Sequence, residues 1–226
     1  EYLDFCWNFY PGCFHQQQGI CPIKDCWAKG RAIRFNKGDF APRLIPEKLL
    51  DPLRRSKKPR TIGVCFTGDL FGDWVDPGVT VTVNDGYGDS HASLLYWVKH
   101  TIRECHTDTF VFLTKRPDRL KPWSPFPGNC AVGVTVCNGK MLCLAVCELA
   151  KIEAKVKFIS FEPLMAKKNW WPKALEGING VIIGGWSRYS PKTAPKIEWV
   201  EDIVNAAGKA GCRVYLKDNL LPLLKR

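Results

Sequence analysis

The chain has 226 residues, 46% of them hydrophobic, and its 33 Lys and Arg against 22 Asp and Glu give a formal net charge of +11. That length suits one large α/β domain with a sizeable core, and a density of 11 cysteines is too low for a disulfide scaffold. No apolar run approaches the ~20 residues that span a bilayer, and Glu1-Tyr2-Leu3-Asp4 is not a secretory signal, so no membrane association is expected.

Leu3–Phe9 reads as a first strand that runs straight into Pro11-Gly12-Cys13, with Cys21 and Cys26 following on the same glycine- and proline-punctuated loop. Pro46 ahead of Glu47-Lys48-Leu49-Leu50 marks a helix start. The basic run Arg54-Arg55-Ser56-Lys57-Lys58-Pro59-Arg60 is either an anion-binding ramp or a soluble connector. Continuous apolar runs then recur at Thr61–Thr67, Thr109–Thr114, Ala131–Val136, Val156–Phe161, Gly180–Ile183 and Arg213–Leu216. Unbroken rather than alternating hydrophobicity indicates burial on both faces, as in parallel strands covered by helices. Helical periodicity falls between them, near Ser90–Glu104, over Met141–Lys151, and along Trp199, Ile203, Ala206 and Ala210 before Gly211. Residues 72–90, with alternating Val79–Val83 and Asn84-Asp85-Gly86, read as a small hairpin insertion. The expectation is a single domain over residues 1–226, a complete or partial (β/α) barrel of about six to seven parallel strands with a cysteine-rich loop after the first.

In such a barrel, functional groups collect after the carboxyl ends of the strands. Those ends read Thr67-Gly68-Asp69, Thr114-Lys115-Arg116, Cys137-Asn138, Ser160-Phe161-Glu162-Pro163, Gly184-Gly185-Trp186-Ser187 and Lys217-Asp218-Asn219. A polar group at every strand end points to an enzyme. An odd cysteine count in a chain of this size fits a reducing compartment, hence the cytoplasm. Three thiols without a nearby fourth suit an iron–sulfur cluster with one open iron; with His15 they equally suit a Cys3His zinc site. Cys137, Cys143 and Cys147 are either a second cluster or small core hydrophobes. The positive charge fits a nucleic acid partner or a merely solvated surface.

These segments also carry a resemblance. Trp7-Asn8, Gly12-Cys13, Cys21, Cys26-Trp27-Ala28, Asp69-Leu70-Phe71, Leu113-Thr114-Lys115-Arg116-Pro117, Gly133-Val134-Thr135-Val136, Phe158–Leu164 and Val181-Ile182-Ile183-Gly184-Gly185 resemble, in order, the phage-associated three-cysteine family. That family is similar to radical SAM enzymes and spore photoproduct lyase. The resemblance implies a [4Fe–4S] cluster on Cys13, Cys21 and Cys26, with S-adenosylmethionine on the fourth iron, an external electron donor, and reductive formation of a 5′-deoxyadenosyl radical. It further implies that Trp27, Thr67, Gly68 and Asp69 seat the cofactor, and Asn138 and Ser160, from their places at strand ends, are expected to join them. Lys115, Glu162 and Lys217 would take catalytic roles, and Arg116 and Trp186 would contact substrate. The loop departs from the usual radical SAM spacing, with gaps of seven and four residues, and Trp186 stands where relatives carry Glu after Gly184-Gly185. Two rival expectations are a non-catalytic nucleic-acid-binding protein stapled by zinc or iron–sulfur, and a subunit that needs a protein partner.

Overall fold

A computed structural model of the chain describes residues 3–35, 39–54, 58–165, 175–186 and 193–224. In chain order the strands are β1 (Phe5–Trp7), β2 (Thr61–Val64), β3 (Thr80–Asn84), β4 (Asp89–Ser93), β5 (Thr109–Thr114), β6 (Cys130–Thr135), β7 (Val156–Phe161), β8 (Gly180–Ile183) and β9 (Arg213–Leu216). The helices are α1 (Trp27–Phe35), α2 (Leu94–Glu104), α3 (Gly139–Ala150), α4 (Ile197–Lys209) and the short α5 (Leu221–Leu224). Seven strands share one sheet in the order β1-β2-β5-β6-β7-β8-β9, and the fold is α/β with a parallel sheet. Among the described residues the sheet runs open from β1 to β9. β3 and β4 form a separate antiparallel hairpin that starts in the 72–90 stretch marked by turn residues in the sequence and runs past it to Ser93.

The chain divides into two compact units, Glu1–Ala131 with Glu153–Lys155, and Val132–Ile152 with Val156–Arg226. In the first, Ile62 of β2 faces both Phe5 of β1 and Phe110 of β5 in register. Trp7, Phe9, Ile62, Phe110 and Phe112 are buried there, with the Trp7 ring 4.6 Å from Phe9 and 5.8 Å from Phe110. Asp108, just before β5, takes the Arg60 backbone N–H at 2.8 Å and the guanidinium at 2.5 and 3.0 Å. Arg60 therefore clamps two strand starts and is not part of a ramp for anions; Arg55, Ser56 and Lys57 of that run lie outside the described residues.

In the second unit, β7 pairs with β8 and β8 with β9. Gly133 lies directly under the Phe158 ring, where any side chain would collide with it. α4 buries Val200, Ile203, Ala206 and Ala207; Trp199 and Ala210, which the sequence pattern puts on that face, are only partly buried, Ala210 being the C-cap.

Two boundaries and one burial pattern show local geometry overriding the apolar pattern. β2 ends at Val64 because Cys65 adopts a φ of +55°, a left-handed conformation that no strand continues through. α2 starts at Leu94, since Ser90–Ser93 pair with β3 and the Ser93 hydroxyl accepts the Tyr96 N–H at 3.1 Å as an N-cap. β9 is exposed at all four residues, so its apolar run does not mark burial on both faces; it is the last strand in the sheet order and pairs only with β8.

Candidate functional site

The cysteine loop is set by a crossing of three chain segments in the first unit. Residues 9–13 pair antiparallel with residues 40–45: the Ile45 N–H donates to Phe9 O at 2.8 Å, Arg43 to Pro11 at 3.1 Å and Cys13 to Phe40 at 3.2 Å. From the other side, the Gly12 N–H donates to Thr67 O at 3.1 Å, and Asn8 Oδ1 accepts the Thr67 N–H at 3.1 Å. Gly12 has a φ of +96°, and a Cβ there would run into the Ala41 carbonyl. Gly68 meets Gly12 just as closely, which gives this predicted cofactor residue a packing task.

Asp69 is the anchor of the region. Its carboxylate is 5% exposed and accepts the Thr114 hydroxyl at 2.8 and 2.9 Å, the Phe71 N–H at 3.0 Å and the Lys115 N–H at 3.0 Å. His15 Nδ1 lies 3.5 Å from Asp69 Oδ2, and the imidazole packs at 4.9 Å on Trp74. Burial pushes the His15 pKa below its usual range, against the pull of the Asp69 charge, so the ring is neutral at pH 7. His15 Nε2 and Trp74 Nε1 are buried without a hydrogen-bond partner among the described residues. Asp69 thus turns its oxygens to donors of its own chain, and its role is to position rather than to stay open for an ammonium group.

Cys13, Cys21 and Cys26 are all free thiols and partly exposed. Cys13 Sγ accepts the His15 N–H at 3.4 Å, and its thiol is pushed up to about 12, chiefly by burial, while the Lys115 charge pulls the other way. Among the described residues no three His, Cys, Asp or Glu side chains are gathered in a metal-holding arrangement. The donor chemistry of the loop therefore suits a thiolate-bound cluster, but its sulfurs are not drawn together. Cys143 and Cys147 on α3 are exposed whereas Cys137 is buried.

Beside this loop lies a cavity of about 310 Å3, bounded by Asn8, Gly12, Trp27, Arg31, Arg43 and Lys48, with Asp39 and Thr67. Gly12 and Trp27 are the chain neighbours of Cys13 and Cys26, so the cavity and the thiols share one loop. Arg116 is not in it. Its guanidinium is bidentate on Asp118, at 2.9 and 2.7 Å, and also pairs with Asp73. Those carboxylates occupy the fork that substrate contact would need.

In the second unit, Lys217 Nζ lies 2.5 Å from Glu162 Oε1, both partly buried. Asn219 ties this pair to the Gly184-Gly185 turn, accepting the Gly185 N–H at 3.1 Å and donating to Gly185 O at 3.0 Å. A side chain at Gly184 would press on both Lys217 and Glu162. Trp186 follows this turn and is partly exposed. Asn138 is the N-cap of α3, accepting the Met141 N–H at 3.0 Å, and Ser160 is fully buried on β7 with its hydroxyl unpaired among the described residues. Thr114, Arg43 and Lys48 went unrecognised as site residues. Thr114 closes a predicted strand with a polar group, whereas Arg43 and Lys48 carry no motif.

Fold and site together define an α/β protein with a parallel sheet and a three-cysteine loop anchored on a buried carboxylate. The chain belongs to the DUF5131 family, described as a protein of unknown function, whose model matches residues 1–219. No curated protein and no solved structure matches it. Among the described residues no helix is long and apolar enough to cross a membrane.

Proposed function

We propose that this protein is a radical SAM-like iron–sulfur enzyme of the cytoplasm, acting on a nucleic acid or nucleotide substrate, with its sheet forming a partial (β/α) barrel. The observation that carries this reading is the single loop holding three free, partly exposed thiols beside a nucleoside-sized cavity and above the Asp69 anchor. Cys13, Cys21 and Cys26 would hold a [4Fe–4S] cluster. With S-adenosylmethionine and an electron donor, that cluster supplies radical chemistry. The chain's own part is to hold the loop: Asp69 fixes Thr114, Lys115 and His15, the 40–45 segment fixes Pro11 and Cys13, and Thr67 fixes Gly12. Lys115 sets a positive charge near Cys13 that offsets part of the burial and of the Asp69 charge, both of which disfavour its thiolate. The test is anaerobic reconstitution with iron and sulfide, then reduction in the presence of S-adenosylmethionine. About four irons per chain and release of 5′-deoxyadenosine, both lost on Cys13→Ser, are the expected result.

A second reading is favoured by His15. Asp69 takes its Nδ1 side and Nε2 is buried without a partner among the described residues, the arrangement by which carboxylates orient metal-binding imidazoles. One tightly held zinc, no iron, and loss of that zinc in His15→Ala would make the loop a structural staple for a binding protein or for a subunit awaiting its partner.

A further inference from the structure

The cavity in the first unit is lined by three cations, Arg31, Arg43 and Lys48, against one carboxylate, Asp39, with the Trp27 ring beside them. We propose that it binds one unpaired nucleotide, the base stacked on Trp27 and a phosphate held by Arg31, Arg43 and Lys48. This deepens the nucleic-acid part of the function above, but it does not depend on the cluster.

Trp27 and Arg31 are spaced i,i+4 on α1, so they leave the helix on one face, and Trp27 is 52% exposed. Ala28 and Ala32 are buried on the same helix, and their small side chains leave the space that a larger residue would fill. The other two cations come from fixed backbone. Trp7 Nε1 donates to Lys48 O at 2.7 Å, Thr101 Oγ1 to Leu49 O at 3.0 Å, and the Arg43 N–H to Pro11 O at 3.1 Å. The Arg43–Asp39 pair, at 2.9 Å, is about half-exposed on both sides, and such pairs are held weakly enough for a phosphate to compete. A surplus of two positive charges in the lining favours an anion and disfavours a sulfonium. The cavity is therefore assigned to substrate, not to the S-adenosylmethionine that Trp27 and Thr67 were expected to seat. Its volume of about 310 Å3 admits a nucleotide but no duplex, so the target is a single strand, a flipped residue or a free nucleotide.

The test is fluorescence anisotropy of the full chain with a labelled oligothymidylate, the same length as duplex, or labelled AMP, and with unlabelled AMP, adenosine or inorganic phosphate as competitors. It needs no iron, so it succeeds or fails separately from cluster assembly. Single strand is expected to bind more tightly than duplex. Trp27→Ala should weaken it roughly tenfold, and the Arg43→Gln/Lys48→Gln double variant should flatten the dependence of log affinity on log salt by up to about 0.7, the share of the one phosphate these residues hold. Stronger competition by AMP than by either adenosine or phosphate at equal concentration shows that base and phosphate are both read; binding of labelled AMP without oligonucleotide binding assigns the site to free nucleotides. Circular dichroism checks that the variants fold, and Lys209→Gln on α4 controls for overall charge. The proposal is overturned if wild type binds none of these probes, if Trp27→Ala and the double variant bind like wild type, or if Lys209→Gln weakens binding as much as they do.

Discussion

Thr114 Oγ1 lies 2.8 Å from Asp69 Oδ1 and 2.9 Å from Oδ2, so one hydroxyl at the end of β5 reaches both oxygens of a carboxylate in the turn after β2. The neighbouring Lys115 and Phe71 amides complete the shell. The two strands are adjacent in the sheet, and this contact locks their carboxyl ends at the level where the cysteine loop crosses.

Replacing that carboxylate tests the anchor. Asp69→Asn keeps the shape but turns an NH2 toward main-chain donors, leaving buried polar groups opposed. A loss of about 3 kcal/mol in urea unfolding is expected. Thr114→Val, which removes one hydroxyl that donates to Asp69 and accepts the Arg116 N–H at 2.8 Å, should cost less, about 2 kcal/mol. Equal effects from the two would mean that Asp69 is not the hub.

Gly12→Ala is expected to be worse than its size implies. The added methyl meets the Ala41 carbonyl, and the left-handed backbone at φ +96° disfavours any side chain. A cost above ~2 kcal/mol, with weakened binding at the neighbouring cavity, follows from clash and strain together. Gly128→Ala, where a Cβ meets nothing, is the comparison and should lie within about 1 kcal/mol of wild type.

Buried thiols predict the alkaline limb of stability. Burial pushes Cys130 up to about 12 and raises Cys65 as well, above the ordinary thiol range. A raised folded-state value stabilises fully below the unfolded value near 8.5, and the gain is lost as pH rises through that value towards 12. The unfolding free energy in urea should therefore fall above about pH 9, by up to ~1.4 kcal/mol per pH unit for each thiol. Cys130→Ala should flatten that slope whatever its cost at neutral pH. An unchanged slope would show that Cys130 does not ionise on unfolding.

Glu162 and Lys217 should behave as a unit. Glu162→Gln and Lys217→Met each remove one side of the 2.5 Å ion pair, while the double variant removes both. A double-mutant cycle in urea should give a coupling of about 1 kcal/mol, and turnover, once assayed, should fall in either single variant. Additive single effects would reduce the pair to surface charge.

The sheet strands were legible because their apolar runs are unbroken and short; Val156–Phe161, Gly180–Ile183 and Arg213–Leu216 match to the residue. Pattern could not show that Cys65 turns left-handed, since that is decided by the crossing of Trp7, Gly12 and Gly68, nor that β9 is exposed, since edge position depends on strand order. The site divides likewise. The cysteines, Asp69, Glu162 and Lys217 stood out by residue type and by place after a strand. Arg116 fitted that rule too, yet Asp73 and Asp118 fill its fork.

By itself the sequence determined an α/β protein with parallel strands, a three-cysteine loop and polar groups at the strand ends, because hydrophobic period and turn chemistry are local. The tertiary structure decided which of those groups are engaged and with what: Asp69 with Thr114, Lys217 with Glu162, and Trp27 with the cations of one cavity. Such pairings join residues far apart in the chain, and only packing brings them within a few ångströms.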